Sequence, residues 1–380
     1  LAIAFEFGED RVLSVGLSTE TARQTWIPAS TAELQTALGP WLASAATKAV
    51  FDAKNSTREL LQLGLDLNGV EFDLLLMTYL LNPIRKGYEL DDIALEYLGL
   101  SVSRGDQNAL IRESSDDASL DAWLVAVLAP KLFKKLQDED QVRVFNEIEL
   151  PSSHALAAME QTGVFIDRPK LEKLFESLGE EVNAIAAEAY SIIGKEINLA
   201  SPKQLQTVLF EDLGMTGTKS VKTGFSTNAA ALNELFEQTE HPFLAKLLEH
   251  RESSKLRQIV ETVIKSIGAD DRIHTNYSQT GTSTGRLSSD SPNLQNIPIK
   301  SERGRQIRDS FIVGDGFETL LTADYSQIEM RIMAHLSEDE GLIEAFNTGE
   351  DLHRFVGARI FGVSPADITP AMRSKVKAMS

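Results

Sequence analysis

The pattern of apolar and polar positions changes near residue 140. Before that point, strand-like alternation at residues 1–7, 11–17 and 24–28 precedes helix-like runs at 31–46, 56–65 and 88–98. This mixed order predicts a sheet with helices packed on it. A strong amphipathic helix at 116–136 closes the region, and an acidic run at 138–140 marks the first predicted domain boundary.

Beyond that boundary the pattern at 145–265 is mostly helical, with Ser201 and Pro202 as a cap and first residue. Strand character returns at 310–313 and 319–323, and two helices are predicted from Ser326 and from about Asp351. The loop at 214–227 is rich in Gly, Ser, Thr and Lys. A solvated loop is the plain interpretation. We favour a DNA-backbone contact through Lys219 and Lys222, because lysines and small hydroxyls suit phosphate oxygens.

Composition narrows the class of protein. The 380 residues are 42% hydrophobic, which is enough for two or three cores. The absence of cysteine excludes disulfides, thiolate zinc sites and cysteine nucleophiles, and fits a reducing, intracellular setting. A net charge of −19 argues in bulk against nucleic acid. However, residues 1–150 carry 13 basic and 24 acidic side chains, whereas residues 251–310 carry 10 and 7. The basic charge is therefore concentrated near the motifs below.

Neither a membrane span nor a signal peptide is predicted. The most apolar run, at 74–81, is too short to cross a bilayer. The first residues have the pattern of the interior of a strand, so we expect that the sequence begins inside a longer protein.

Asp324 is the first candidate for chemistry. It follows the apolar run at 319–323 and precedes a predicted helix. A carboxylate at a strand end beside free backbone carbonyls makes a hard oxygen site that suits Mg²⁺. Alternatively, Asp324 simply caps the helix. Spacing alone leaves both interpretations open.

A resemblance favours the metal site. Residues 324–331, Asp-Tyr-Ser-Gln-Ile-Glu-Met-Arg, resemble the first palm motif of family A DNA polymerases. Upstream, residues 284–289 (Thr-Gly-Arg-Leu-Ser-Ser) and 292–298 (Pro-Asn-Leu-Gln-Asn-Ile-Pro) resemble a second family hallmark nearly residue for residue. The resemblance covers essentially the whole chain and is strongest from 272 to 377.

The resemblance implies an α/β (α+β multi-domain) fold. A ribonuclease H-like, 3′–5′ exonuclease-type domain would occupy residues 1–140, a mainly helical thumb 141–270, the first part of the palm 271–340 and the start of the fingers 341–380. The implied function is template-directed DNA synthesis in bacterial repair and replication gap filling. The implied partners are primer-template DNA and deoxynucleoside triphosphates. We expect a monomer with no membrane association, in the cytoplasm at the nucleoid.

The family also implies roles for single residues. Asp324 and the backbone carbonyl of Tyr325 would ligate two Mg²⁺ ions that clamp the primer 3′-oxygen and the triphosphate. Glu329 would lie under the nucleotide sugar and exclude a 2′-hydroxyl; the alternative is a helix-surface acid. Residues at the primer end would contact the minor groove, where purine N3 and pyrimidine O2 are acceptors in every correct pair. These residues are Arg286, Asn293, Gln295 and Asn296.

Four further residues would lie at the nucleotide, three of them on the triphosphate. His353 matches a family Asp-x-His-Arg pattern, although a lone histidine is more often structural. Arg373 and Lys377 share one helix face and can grip a triphosphate, or form a solvated basic face. The resemblance favours a role for Arg305 near the nucleotide, and the alternative for Arg305 and Arg308 is a solvated surface.

The family's second catalytic aspartate has no counterpart in the sequence. We therefore expect that residues 1–380 alone cannot polymerise and that the parent protein is longer. Two other functions stay open. One is a 3′–5′ exonuclease. The other is a non-catalytic DNA-binding module whose binding weakens as salt rises.

The exonuclease-like domain has lost much of the family's set of four carboxylates. Its first motif reads Ala4-Phe5-Glu6, its second falls on Asn55-Ser56, and its third keeps Asp117 without the tyrosine. Only Glu6 and Asp117 survive. We expect a vestigial domain that acts as structural support, unless Asp52 or Asp73 restores the ligands in space.

Overall fold

The computed structural model describes residues 1–102, 115–215, 220–221, 224–299, 301–349 and 352–379. It divides into two compact units, Leu1–Phe317 and Glu318–Ser380. The mixture of strands and helices confirms the predicted α/β class. The described helices include none that combines the length and apolar character needed to cross a membrane.

A five-stranded sheet forms the centre of the first domain. Its strands are β1 (Ala2–Phe7), β2 (Val12–Ser18), β3 (Arg23–Trp26), β4 (Lys48–Val50) and β5 (Val70–Asp73). The order is β3-β2-β1-β4-β5, with β1, β2 and β3 antiparallel and β4 and β5 parallel to β1. The three predicted strands are confirmed. The sequence analysis missed β4 and β5 because three or four residues are too few for a period of two to be recognised.

The described part of this domain contains six helices. They are α1 (Thr31–Ala37), α2 (Gly39–Leu42), α3 (Ala53–Gln62), α4 (Leu74–Leu81), α5 (Leu90–Leu98) and α6 (Ser115–Asp138). The predicted single helix at 31–46 is wrong in extent, because Pro40 lacks the N–H that would continue α1; a separate helix, α2, begins at Gly39 with Pro40 in its first turn. Helix α6 buries Leu124, Leu128 and Leu132 in the domain's core. It approaches β2 so closely that a Cβ on Gly16 would lie 1.8 Å from the carbonyl oxygen of Ala118.

A mainly helical region follows, as predicted. It comprises α7 (Val142–Val144), a π-helical turn (Phe145–Glu149), α8 (Leu150–Thr162), β6 (Val164–Phe165), α9 (Arg168–Ile193), α10 (Pro202–Gln206), a second π-helical turn (Thr207–Asp212), β7 (Ser220–Val221), β8 (Gly224–Phe225), α11 (Ala229–Thr239) and α12 (Pro242–Lys265). Helices α9 and α12 pack together through side chains such as Leu178 and Val260. Ser201 caps α10, which confirms the predicted cap.

The last elements of the first unit surround a hairpin. They are β9 (Arg272–Ile273), β10 (Asn276–Ser278), β11 (Ser288–Asp290), a 3₁₀ turn (Leu294–Asn296) and α13 (Glu302–Arg308). The predicted strand at 310–313 is reduced to one bridge between Phe311 and Ile166.

The second unit holds α14 (Ile328–Ser337), α15 (Glu340–Thr348), α16 (Leu352–Phe361), a 3₁₀ turn (Pro365–Asp367) and α17 (Pro370–Met379). The predicted strand at 319–323 is wrong, since residues 319–325 are irregular. A strand needs a hydrogen-bonded neighbour, and no described strand pairs with this run. Leu321 is accordingly 91% exposed. The predicted boundaries at 140, 270 and 340 stay predictions.

A buried ion pair joins the first domain to the helical region. The Glu160 carboxylate of α8 accepts from Lys54 Nζ at 2.5 Å and from Arg58 at 3.1 Å, both on α3. It also accepts the backbone N–H of Tyr277 at 2.7 Å, on β10. Lys54 Nζ donates in addition to Asn276 Oδ1 at 2.6 Å. One buried carboxylate therefore links α3, α8 and the hairpin.

Candidate functional site

The hairpin of β10 and β11 carries Arg286 in its connecting loop, residues 279–287. The strands pair from Asn276 with Asp290 to Ser278 with Ser288. Within the loop, Thr282 Oγ1 donates to the Arg286 carbonyl at 2.7 Å. Gly285 has a φ of +79°, which a glycine adopts without strain. Arg286 itself is exposed.

The motif at 292–298 packs beside this loop. Asn293 Oδ1 accepts the backbone N–H groups of Gln295 and Asn296 at 3.0 and 3.2 Å. Gln295 Nε2 donates to the Leu287 carbonyl at 3.0 Å. Asn293, Gln295 and Asn296 are exposed and border the backbone next to Arg286. Their contact with a DNA minor groove stays a prediction.

Arg305 and Arg308 are both exposed on α13. Arg308 donates to the Ile297 carbonyl at 3.2 Å, so it ties α13 to the motif at 292–298. The role of Arg305 at the nucleotide stays a prediction. Lys219 and Lys222, predicted to contact phosphates, lie outside the described residues.

Asp324, Tyr325 and Glu329 lie at the start of the second unit and are exposed. The predicted helix from Ser326 begins two residues later, at Ile328. Its N-cap residue is Gln327, so the alternative of Asp324 as the helix cap is wrong. The Asp324 carboxylate is thus not used as a cap and remains suited to another ligand.

The predicted triphosphate contacts lie on the two last helices. His353 is on α16, and Arg373 and Lys377 are on α17. Val376 of α17 is buried and packs against Gly357 of α16, which has no side chain and so leaves room for it. Arg373 is exposed, while the side chains of His353 and Lys377 lie outside the described residues. Their contact with a triphosphate stays a prediction.

A divalent metal fits the donors at 324–325 only in part. A carboxylate and a backbone carbonyl are the hard oxygen ligands that Mg²⁺ prefers. One carboxylate supplies few of the ligands that two metal ions need. Within the described ranges, no cluster of three or more Asp, Glu, His or Cys side chains has the arrangement of a metal site.

Of the two surviving exonuclease acids, Asp117 lines the cavity beside Ala4 and Ser56 and Glu6 is outside its described lining. Asp117 lines a cavity of about 580 Å³ together with Ala4 and Ser56, the two positions where the family motif has aspartates. Glu6 is not part of this lining, and its carboxylate accepts from Ser14 on β2 at 2.9 Å. Other acids line the cavity instead, namely Glu89, Asp91, Asp92 and Asp121.

Asp52 and Asp73 are occupied as helix caps rather than placed as replacement ligands. The Asp73 carboxylate accepts backbone N–H groups at the start of α3 and α4, at distances from 2.8 to 3.3 Å. Burial raises the pKa of Asp73 to about 7, and the neighbouring Asp52 adds to the rise. Asp52 caps α3 by accepting the N–H of Asn55 at 3.0 Å. Sequence reasoning missed these caps, although an Asp directly before a helical run is a signal for one.

Two family profiles match the chain. DNA polymerase family A matches residues 168–380. The ribonuclease H-like domain of DNA polymerase I matches residues 6–107. The second match confirms the predicted ribonuclease H-like domain, and the sheet order agrees with it.

Relatives and a solved structure agree with the profiles. The chain is 48% identical to DNA polymerase I of Mycobacterium bovis over 90% of this chain and 39% of that protein. It is 35% identical to DNA polymerase I of Bacillus subtilis over 100% of this chain and 44% of that protein. The chain thus spans less than half the length of these relatives. The solved POL domain of Pol1 from M. smegmatis, in complex with DNA primer-template and dNTP, superposes with a TM-score of 0.91 at 44% identity, covering 99% of this chain and 66% of that one. The chain belongs to DNA polymerase family A, as its motifs predicted.

Proposed function

We propose that the protein is a template-directed DNA polymerase that adds deoxynucleotides to a primer 3′-hydroxyl. The observation that carries the proposal is the likeness, over 99% of this chain, to a polymerase domain solved with primer-template and dNTP. This chain would act through Asp324, which does not cap α14, and through Arg286, which is exposed. We propose that it works as a monomer in bacterial repair and replication gap filling, in the cytoplasm at the nucleoid; the support is its similarity to bacterial DNA polymerases I.

The chain's own residues would divide the work. Arg286, with the amides at 293, 295 and 296, would hydrogen bond to minor-groove acceptors at the primer end and so test pair shape without reading sequence. Arg305, His353, Arg373 and Lys377 would balance the charge of the triphosphate. Glu329 would occupy the space of a 2′-hydroxyl. Lys219 and Lys222 would contact backbone phosphates.

Asp324 and the Tyr325 carbonyl would hold Mg²⁺, with further ligands needed for two ions. Bound Mg²⁺ would lower the barrier to nucleotidyl transfer by stabilising charge on the attacking and leaving oxygens. Asp324 suits this role because its carboxylate is exposed and does not cap α14.

The test is primer extension by the complete gene product. We expect Asp324→Asn to lower the rate by at least about a hundredfold, since a charged group that holds the metals is lost. Asp315→Asn, at another exposed aspartate, is the matched control and should leave the rate unchanged. Equal rates for Asp324→Asn and the wild type would refute the proposal.

A second candidate is a non-catalytic DNA-binding fragment for residues 1–380 alone. The observation that favours it is the single carboxylate at 324–325. We expect the isolated chain to bind primer-template, to lose affinity as salt rises and to leave the primer unextended. Extension by the isolated chain would refute this candidate and leave the polymerase proposal standing.

We propose further that the exonuclease activity is lost. The absence of carboxylates at Ala4 and Ser56, which line the cavity beside Asp117, supports this. The complete gene product should leave a 3′-labelled single strand intact. Degradation that Glu6→Gln abolishes would contradict the proposal. Conversely, Ala4→Asp with Ser56→Asp adds two carboxylates beside Asp117 and should create Mn²⁺ binding, measurable by electron paramagnetic resonance.

A further inference from the structure

Tyr79 reaches from the exonuclease-like domain into the loop that carries Arg286. Tyr79 lies on α4 and is 2% exposed. Its hydroxyl donates to the Thr282 carbonyl at 2.8 Å and accepts the backbone N–H of Gly285 at 3.1 Å. One buried hydroxyl therefore serves both a donor and an acceptor of the distant loop.

The position of these two contacts within the loop is informative. Thr282 and Gly285 are the first and fourth residues of a turn. In a closed β-turn, a direct hydrogen bond joins the carbonyl of the first residue to the N–H of the fourth. Here the Tyr79 hydroxyl bridges those same two groups. The Tyr79 hydroxyl therefore braces both ends of this turn from another domain, and Arg286 is the next residue along the chain.

Tyr79 is itself held in place. Its ring packs edge-to-face against Tyr88, with centroids 6.0 Å apart and an interplanar angle of 69°. The Tyr88 hydroxyl donates to the Asn82 carbonyl at 3.0 Å, within the same domain. Packing within its own domain thus fixes the Tyr79 hydroxyl independently of the loop, as is required of a positioning group.

A second link braces the base of the same hairpin. Glu160, 2% exposed, accepts the Tyr277 N–H, and Lys54 contacts Asn276. Through Lys54 and Tyr79, the exonuclease-like domain therefore contacts the hairpin at its first strand and at its loop. The two contacts lie on opposite sides of residues 278–281.

We propose that Tyr79 is a positioning residue for Arg286. By fixing the turn at 282–285, the exonuclease-like domain sets the angle at which Arg286 reaches the primer end, and thereby the discrimination between a paired and a mispaired terminus. This inference rests on the proposed function, and it assigns the domain a role that needs no metal ligands.

The test is Tyr79→Phe in the complete gene product. This change removes the hydroxyl and keeps the packed ring. We expect the ratio of extension efficiencies, kcat/KM on a paired over a mispaired primer terminus, to fall by roughly tenfold, as expected for the loss of two hydrogen bonds. Tyr88→Phe is the matched control, since its hydroxyl donates to the Asn82 carbonyl within its own domain, and it should leave the ratio unchanged.

A double variant separates positioning from general support. If Tyr79 acts through Arg286, then Tyr79→Phe should have no further effect on the ratio in an Arg286→Ala background. Amide hydrogen exchange supplies a readout that is independent of activity. Exchange in residues 279–287 should accelerate in Tyr79→Phe and not in Tyr88→Phe.

The failures are distinguishable. An active wild type with an effect of Arg286→Ala, but a Tyr79→Phe ratio equal to that of the wild type, would overturn the positioning role. Additive losses in the double variant would do the same. A wild type that extends no primer would overturn the proposed function, and the inference with it.

Discussion

Replacing Glu160 with Gln should weaken the junction between the exonuclease-like domain and the rest of the first unit. The Glu160 side chain is 1% exposed, and that of its partner Lys54 is 9% exposed. Gln keeps the size and one acceptor oxygen but removes the charge. Lys54 would then be a buried cation whose direct hydrogen-bond partners are neutral.

The magnitude follows from burial. Removing one partner of a buried ion pair costs about 3–5 kcal/mol, because the other charge stays desolvated without compensation. Gln retains an acceptor for the Tyr277 N–H, and Arg58 is partly solvated. We therefore expect a loss near the lower end, about 3 kcal/mol. The exposed pair of Lys134 and Asp138 is the matched control, and Asp138→Asn should cost at most about 0.5 kcal/mol.

Urea unfolding provides the assay, since urea does not screen ion pairs. All three tryptophans lie at positions 26, 41 and 123, so their fluorescence reports on the exonuclease-like domain. Far-UV circular dichroism reports on all helices. In Glu160→Gln the fluorescence transition should move to lower urea and separate from the dichroism transition. A shift no larger than that of Asp138→Asn would refute the reasoning, as would a Lys54→Met, Glu160→Gln double variant less stable than Glu160→Gln alone.

Three further predictions concern the core of the first domain. Gly16→Ala should destabilise it by several kcal/mol, seen as a lower urea midpoint, because the new Cβ would overlap the Ala118 backbone at 1.8 Å. Lys48 is fully buried and its ammonium donates to three backbone carbonyls, so Lys48→Met should lower the melting temperature through roughly 2 kcal/mol of unsatisfied acceptors. The pKa of Asp73 rises from 3.8 to about 7 on folding, chiefly through burial. The folded state therefore holds a proton that the unfolded chain releases. This stabilisation is complete below the unfolded pKa and disappears as pH rises through about 7, so the unfolding free energy relative to Asp73→Asn should fall over that window.

The sequence predicted the long and periodic elements because each carries its own signal. The helix α6 and the three antiparallel strands were recognisable from period alone. Strands β4 and β5 were not, since their identity depends on parallel neighbours rather than on alternation. The run at 319–323 gave the opposite error, since a strand was predicted there and none is formed. It has the composition of a strand, but a strand exists only where another strand accepts its hydrogen bonds.

The residues of the candidate site likewise divide into those that the sequence marks and those that it does not. Asp324, Arg286 and Glu329 could be selected from motifs, because a family pattern is written in consecutive residues. Tyr79 could not, since its partner carbonyl lies 203 positions away and nothing in the local sequence marks its hydroxyl as special. Residues that act through a contact between domains are visible only once the chain is folded.

In the exonuclease-like domain, the loss of a metal-binding carboxylate and the loss of a contact with the hairpin have different effects on stability. Carboxylates gathered for metal ions repel each other without the ions, so replacing them with Ala4 or Ser56 removes repulsion and leaves the fold intact. Lys54 and Tyr79 have the opposite energetics, because their loss takes a buried partner from the Glu160 carboxylate or from the backbone pair of the Arg286 loop. A domain can therefore lose its metal chemistry at no cost in stability while its contacts with the hairpin remain necessary. If the exonuclease activity is lost, as we propose, this reasoning places the domain's function at its contacts with the Arg286 loop rather than in the cavity beside Asp117.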